Sequence, residues 1–182
     1  KNILGFGGDE VMKNMVDGMP LVLTGHNLTI EELTIAARKP LKVEIAQDAM
    51  KRIKDSKKIV DEIVESGKPT YGISTGFGEL SKVFISKEEN STLQRNLIIS
   101  HSCGVGEPFP EDIVRAIMIL RVNTHAVGFS GVSPEIPLLL CAMINEGVIP
   151  YVPSKGSLGS SGDLANLAHI GLVLLGEGKA YY

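Results

Sequence analysis

Glycine placement constrains this chain more than any other feature of its sequence. Fifteen of its twenty glycines lie from Gly67 onward, against a usual frequency of ~7% of residues. They fall in clusters, where the backbone must turn sharply or approach something closely. Between the clusters the sequence reads as helices. Thr29-x-x-Glu32 is a capping box, so a short helix begins there and stops before Pro40. From Glu44 to Glu65, Ile45, Ala49, Ile53, Val60, Ile63 and Val64 recur at helical spacing, and Gly67 ends the segment. Ser86-x-x-Glu89 opens another helix through Leu93, Leu97 and Ile98 toward Ser100. Pro110-Glu111-Asp112 starts the next, with proline and acids in the first turn, running to about Gly128. Ser133-Pro134-Glu135 precedes an apolar helix over Ile136–Ile144, and a last one runs from Asp163 to Leu175 with Gly176 as its stop. Extended pieces are confined to 20–23 and 148–152. The fold class is mainly α with a few short strands.

The segments 136–144 and 164–175 are apolar almost all round, which predicts burial on every side. A chain ending at Tyr182 has little sequence left to cover them, so it is expected to be a portion of something longer or to self-associate. Cys103 and Cys141 make no disulfide framework and are expected to be buried small hydrophobes.

Composition removes several function classes. Eighteen Lys+Arg against twenty-one Asp+Glu leave a net charge of −3, without the basic footprint of a nucleic-acid binder. No basic region precedes an apolar run at the N-terminus, and no apolar stretch approaches the ~20 residues of a membrane span. A cytoplasmic location is therefore expected. His26, His101, His125 and His169 are scattered, without H-E-x-x-H or C-x-x-C, so no metal site is expected.

Three Gly-rich stretches could carry chemistry: Tyr71-Gly-Ile-Ser-Thr-Gly-Phe-Gly78, Ser100-His-Ser-Cys-Gly-Val-Gly106 and Gly156-Ser-Leu-Gly-Ser-Ser-Gly-Asp163. None has the G-x-G-x-x-G spacing of a dinucleotide site or the G-x-x-x-x-G-K-[ST] of a P-loop. The third allows a different reaction. In a forced tight turn, the nitrogen of Gly162 can attack the carbonyl of Ser160, because glycine offers an unhindered nitrogen and permissive dihedrals. Loss of two waters then gives a five-membered ring bearing an exocyclic alkene made from Ser161. A helix N-terminus directly after it would stabilise electron density arriving at such an electrophile.

The surroundings extend that reading. Gly156 to His169, with Leu164-Ala165-Asn166-Leu167-Ala168 after the acid, closely resembles the active-site signature of the aromatic amino acid ammonia-lyases, and within that family of its histidine ammonia-lyases. Tyr71–Gly78 resembles the family's tyrosine-bearing inner loop. Leu93-Gln-Arg-Asn-Leu97 with Ser100-His101 and Gly104-Val-Gly-Glu-Pro108 resembles its substrate-selectivity helix, and Arg121-Val-Asn123 with Gly128-Phe-Ser-Gly-Val132 resembles the block that follows. The likeness covers residues 20–182 and leaves 1–19 as an N-terminal extension. It implies the N-terminal part of the fumarase/aspartase-like helical lyase fold, with the helical bundle and its further substrate-binding residues missing. Ser160 stands where most members carry alanine, and Asn166 replaces a proline, which is expected to loosen the start of the last helix.

The activity so implied is non-oxidative elimination of ammonia from L-histidine, giving trans-urocanate. The electrophile would be 4-methylidene-imidazol-5-one formed from Ser160, Ser161 and Gly162, with no metal or nucleotide. The substrate amine adds to its alkene, and Tyr71 is the implied base for the β-proton. An ordinary phenol titrates near ~10, so neighbouring groups must lower it for that task. His101, with Ser100, is the pairing associated with a histidine substrate and would hold its ring. Asp163, Gly78 and Leu164 are supporting positions, and His169 is expected to be a core histidine. The resemblance also implies a homotetramer with composite active sites. The isolated chain is accordingly expected to be inactive, with its tripeptide linear. A tyrosine or phenylalanine ammonia-lyase, an aromatic aminomutase, and a non-catalytic binding domain derived from the family remain alternatives.

Overall fold

The computed structural model describes residues 19–76, 87–158, 162 and 164–182. Among them, β1 (Leu21–Leu23) is followed by α1 (Ile30–Arg38), β2 (Val43–Ile45), α2 (Gln47–Ser66), α3 (Lys87–His101), β3 (Val105–Pro108) and α4 (Glu111–Ala126). Then come α5 (Glu135–Glu146), β4 (Ile149–Pro150), β5 (Pro153–Lys155), α6 (Leu164–Leu174) and β6 (Ala180–Tyr181). The helix-dominated expectation holds, with small two-stranded pairings between the helices.

Local sequence signals account for most of the boundaries. Thr29 caps α1 as a full capping box: its Oγ1 accepts from Glu32 N–H, and Glu32 accepts from Thr29 N–H at 2.8 Å. Gly67 ends α2 in the left-handed conformation, φ 64°. The helix expected from Glu44 begins later, at Gln47, because Val43-Glu44-Ile45 pairs in parallel with Leu21–Leu23. Ala46 is extended, and the helix can start only after it. The second capping box, at Ser86, lies outside the described residues, as do 1–18 of the expected N-terminal extension.

Helix α4 is the centre of the packing. Val114, Met118, Ile119, Val122 and Ala126 form its buried stripe, against α1, α5 and the β1–β2 pair. Leu140, Met143 and Ile144 of α5 complete one continuous core with Leu23, Val43 and Val152. Polar clamps hold the layers in register. Arg115 is buried and donates to the carbonyls of Ala36, Leu41 and Ile144, so one guanidinium ties α1, the strand approach and the end of α5. Asn145 grips Val43 from both sides, accepting its N–H at 2.7 Å and donating to its carbonyl at 3.0 Å.

Burial on every side is not what the two apolar helices show. Helix α5 buries Leu140, Cys141, Met143 and Ile144, but Leu138 is 51% exposed and Leu139 43%. Helix α6 buries Ala165, Ala168 and Ile170 while Leu164 and, just beyond the helix, Leu175 are exposed. Helix α5 thus has an apolar face turned outward, whereas α6 is exposed chiefly at its two ends. Cys141 is buried as expected, whereas Cys103 is exposed. It sits in the loop after α3, where no hydrophobic layer crosses it. Among the described residues, no helix is long and apolar enough to cross a membrane.

Candidate active site

The three Gly-rich stretches reach the structure in different ways. The first is a compact turn closed by its own hydroxyls. Ser74 Oγ donates to Lys68 O at 2.8 Å and accepts Thr70 N–H at 2.9 Å, and Thr75 Oγ1 donates to Gly76 O. Ser74 and Thr75 are buried, while Tyr71 at the start of the turn is 64% exposed. The small residues of this motif therefore build the turn, and the phenol is what it presents. Ile73 from the same turn lines an open groove of about 490 Å³ with Ile59, Val60 and Ile63 of α2 and the 127–131 loop. Gly78 lies outside the described residues.

The second stretch is the C-terminal end of α3. Ser100 Oγ donates to Leu97 O at 2.9 Å, and His101 Nδ1 lies 2.8 Å from the same carbonyl and 3.2 Å from Ser100 Oγ. A carbonyl only accepts, so His101 Nδ1 carries the hydrogen. When the ring is neutral, that leaves Nε2 as its acceptor nitrogen.

Gly156, at the start of the third stretch, packs on the end of the second. Strand β3, which follows the His101 corner, pairs antiparallel with β5, with Val105 opposite Lys155 and Pro108 opposite Pro153. Beyond β5 the chain passes Gly156, where φ is 126° and an added Cβ would stand 3.0 Å from Gly104 Cα. Gly104 N–H donates to His169 Nε2 of α6 at 3.1 Å. Further along, Ile98 of α3 rests on Gly171 of α6, and Arg95 forms a two-nitrogen ion pair with Glu177. The Ser100-His101 corner and the stretch from β5 to α6 are thus one assembly.

Around the Ser160-Ser161-Gly162 tripeptide, Gly162 and Leu164 are described; Ser160, Ser161 and Asp163 lie outside the described residues. Gly162 adopts φ 90°, and Leu164 N–H closes a tight turn onto its carbonyl at 3.0 Å. Helix α6 begins at Leu164 with Asn166 in its first turn. Ser157 Oγ, on the approach, is buried with no hydrogen-bond partner among the described residues. A left-handed glycine in a tight turn, a helix start and a buried hydroxyl without a partner among the described residues all fit a ring built from residues 160–162.

His169 differs from expectation. It is half-buried rather than a core residue, and it has a named partner in Gly104. Burial lowers its pKa, which keeps Nε2 available as an acceptor. No group of three or more His, Cys, Asp or Glu side chains among the described residues could hold a metal ion. The sequence reading also missed the ion pair of Arg95 and the close approach at Gly156. The one signal of that packing was Gly171 inside an apolar helix, where glycine costs about 1 kcal/mol unless a neighbour uses the space.

The profile of the aromatic amino acid lyases matches residues 28–182. The chain belongs to that family. It is 71% identical over 163 residues to histidine ammonia-lyase of Treponema denticola, an alignment covering 90% of this chain and 32% of that protein. Histidine ammonia-lyase of Caldanaerobacter subterraneus subsp. tengcongensis is 54% identical, over 89% of this chain and 32% of that protein. The chain thus spans about a third of the length of these relatives. Solved lyase-family structures share the fold. Ergothionase from Treponema denticola superposes with a TM-score of 0.86 at 34% identity, over 90% of this chain and 33% of that one. Tyrosine aminomutase from Streptomyces globisporus gives 0.83 at 38%, over 90% and 31%. Histidine ammonia-lyase from Trypanosoma cruzi gives 0.82 at 36%, over 89% and 31%. The fold over this part of the chain is therefore common to enzymes named for different substrates, and the fold by itself does not choose among them.

Proposed function

We propose that this chain is the front section of an enzyme that eliminates ammonia from L-histidine to give trans-urocanate. The observation carrying the reading is the Ser100-His101 corner, seated on the segment that leads into Ser160-Ser161-Gly162, in a chain 71% identical to a histidine ammonia-lyase. A 4-methylidene-imidazol-5-one made from those three residues would supply the electrophile that turns the α-amine into a competent leaving group. His101 offers Nε2 as an acceptor for the N–H of an imidazole substrate, and Ser100 holds His101 in place by sharing the Leu97 carbonyl. Tyr71, exposed at its turn, is the group to take the β-proton on its phenol oxygen. Leu164 opens the helix that follows the tripeptide, and Asp163 and Gly78 are supporting positions of the two motifs by resemblance. A homotetramer that completes each site from several subunits, a cytoplasmic location, and independence from metals, nucleotides, nucleic acid and membranes go with this reading. So does a linear Ser160-Ser161-Gly162 in the isolated, inactive chain.

The test is to incubate the full-length protein separately with L-histidine, L-tyrosine and L-phenylalanine, measuring ammonia and the organic product. Urocanate from histidine alone supports the reading. A cinnamate or coumarate product, or a β-amino acid without ammonia, replaces it with a lyase or aminomutase of another substrate. No turnover, in a protein whose intact mass lacks the two-water deficit, leaves a non-catalytic domain.

A further inference from the structure

His101 ends α3, and the segment 102–104 after it, which leads into the β3–β5 pairing at Val105, carries one long-range side-chain bond among the described residues. Gly104 N–H donates to His169 Nε2 at 3.1 Å. The neighbouring contacts leave that bond little latitude. A Cβ on Gly104 would stand 2.9 Å from His169 Nε2 and 3.1 Å from Pro153 Cβ, while Gly156 presses on Gly104 from the other side. Gly104 is therefore held between three groups, of which only His169 offers direction as well as contact. His169 also lies on α6, the helix that follows the tripeptide in sequence. It is five residues past Leu164, about 7.5 Å along the helix axis, and on the opposite side His101 is three residues before Gly104. One imidazole thus joins the substrate-facing corner to the helix behind the tripeptide.

We propose that His169 is a positioning residue. By accepting the Gly104 N–H it holds the Ser100-His101 corner against α6, so that His101 meets a substrate ring in one orientation. The inference rests on the histidine-eliminating reading and assigns His169 a part in its substrate binding. The bond requires Nε2 without a hydrogen, and hence the Nδ1–H tautomer of neutral His169. The apolar seat of Ile98 on Gly171 and the Arg95–Glu177 pair hold α3 on α6 independently. Losing the imidazole therefore loosens the last turn of α3 and residues 102–104 while the helices and the β3–β5 pairing stay in place.

The test compares His169→Leu, which fills the space without an acceptor, with His169→Gln, which can place an oxygen near the position of Nε2. Both are made in the full-length protein. Amide exchange is followed by mass spectrometry over residues 102–106, and KM and kcat for L-histidine are measured alongside. The leucine variant should exchange faster in that peptide and show a KM raised about tenfold, the size of one lost hydrogen bond, with kcat less affected. The glutamine variant should recover most of both, and both variants should keep the two-water mass deficit. Unchanged exchange in the leucine variant overturns the bond itself. Faster exchange with an unchanged KM overturns its role in positioning, as does a glutamine variant no better than leucine. Loss of the mass deficit moves His169 to ring formation instead. If the unaltered protein releases no ammonia from L-histidine, the functional reading fails and takes the substrate role with it, while the exchange data still decide the bond.

Discussion

Gly156 and Gly104 meet backbone to backbone: a Cβ on Gly156 would lie 3.0 Å from the Cα of Gly104 and 3.4 Å from the carbonyl oxygen of Cys103. Two strands' ends, one after His101 and one before the Ser160-Ser161-Gly162 tripeptide in sequence, approach here closer than side chains allow. The Gly156 φ of 126° adds a conformation that L residues avoid. Gly156→Ala is expected to cost about 1–3 kcal/mol, lowering the thermal midpoint by several degrees. In the full-length protein it should reduce activity beyond what the lost stability explains. A midpoint within a degree of the parent would mean that the β3–β5 junction yields freely.

The helical framework was legible because its signals are local. The capping box at Thr29, the glycine stop at Gly67 and the Pro110-Glu111-Asp112 start each act within a turn of the helix they bound. The strands at Val43–Ile45, Val105–Pro108 and Pro153–Lys155 were not legible, because each is defined by a partner distant in sequence. Val43-Glu44-Ile45 even carries helical spacing into α2, and only its pairing with Leu21–Leu23 makes it a strand. The site shows the same division. The residue types at 71, 100–101 and 160–162 could be read from the chain, whereas the bond between Gly104 and His169 spans 65 residues and leaves no periodic trace.

Arg115 should be irreplaceable by lysine. Its fork donates to three buried carbonyls from three parts of the fold, Ala36, Leu41 and Ile144. An ammonium on a shorter head cannot span all three, so at least one carbonyl is left unsatisfied in the core. Arg115→Lys is expected to cost about 1–3 kcal/mol and Arg115→Ala more, read from urea midpoints at constant slope. A lysine variant as stable as the parent would show that water reaches this clamp.

Thiol reactivity should split the two cysteines. Cys141 is buried, and desolvation with the nearby Glu44 charge raises its pKa to about 11. Cys103 lies exposed after α3. At pH 8, iodoacetamide should label Cys103 in the folded protein and reach Cys141 only on unfolding, because the thiolate is the reactive form. Peptide mapping of partly labelled protein reads the order directly, and early modification of Cys141 would mean that α5 opens readily.

His125 should make stability depend on pH in the weakly acidic range. The residue is only 3% exposed, and its Nδ1 has no hydrogen-bond partner among the described residues. Burial first, then the charge of Arg121, lowers its pKa from 6.5 to about 4. The unfolded chain therefore takes up the proton before the folded one as pH falls. The stability linked to this group is complete above about pH 6.5, declines as pH drops toward 4, and changes no further below that. Between pH 7 and pH 5 the loss is on the order of 2 kcal/mol, from about 1.4 kcal/mol per unit of pH below the unfolded value. His125→Leu has no proton to bind, so its unfolding free energy should fall less over the same interval, whatever its absolute stability. Urea titrations of both proteins at pH 7 and pH 5 provide the comparison. Equal losses in the two would assign the acid sensitivity to other groups and leave His125 as a packing residue of α4.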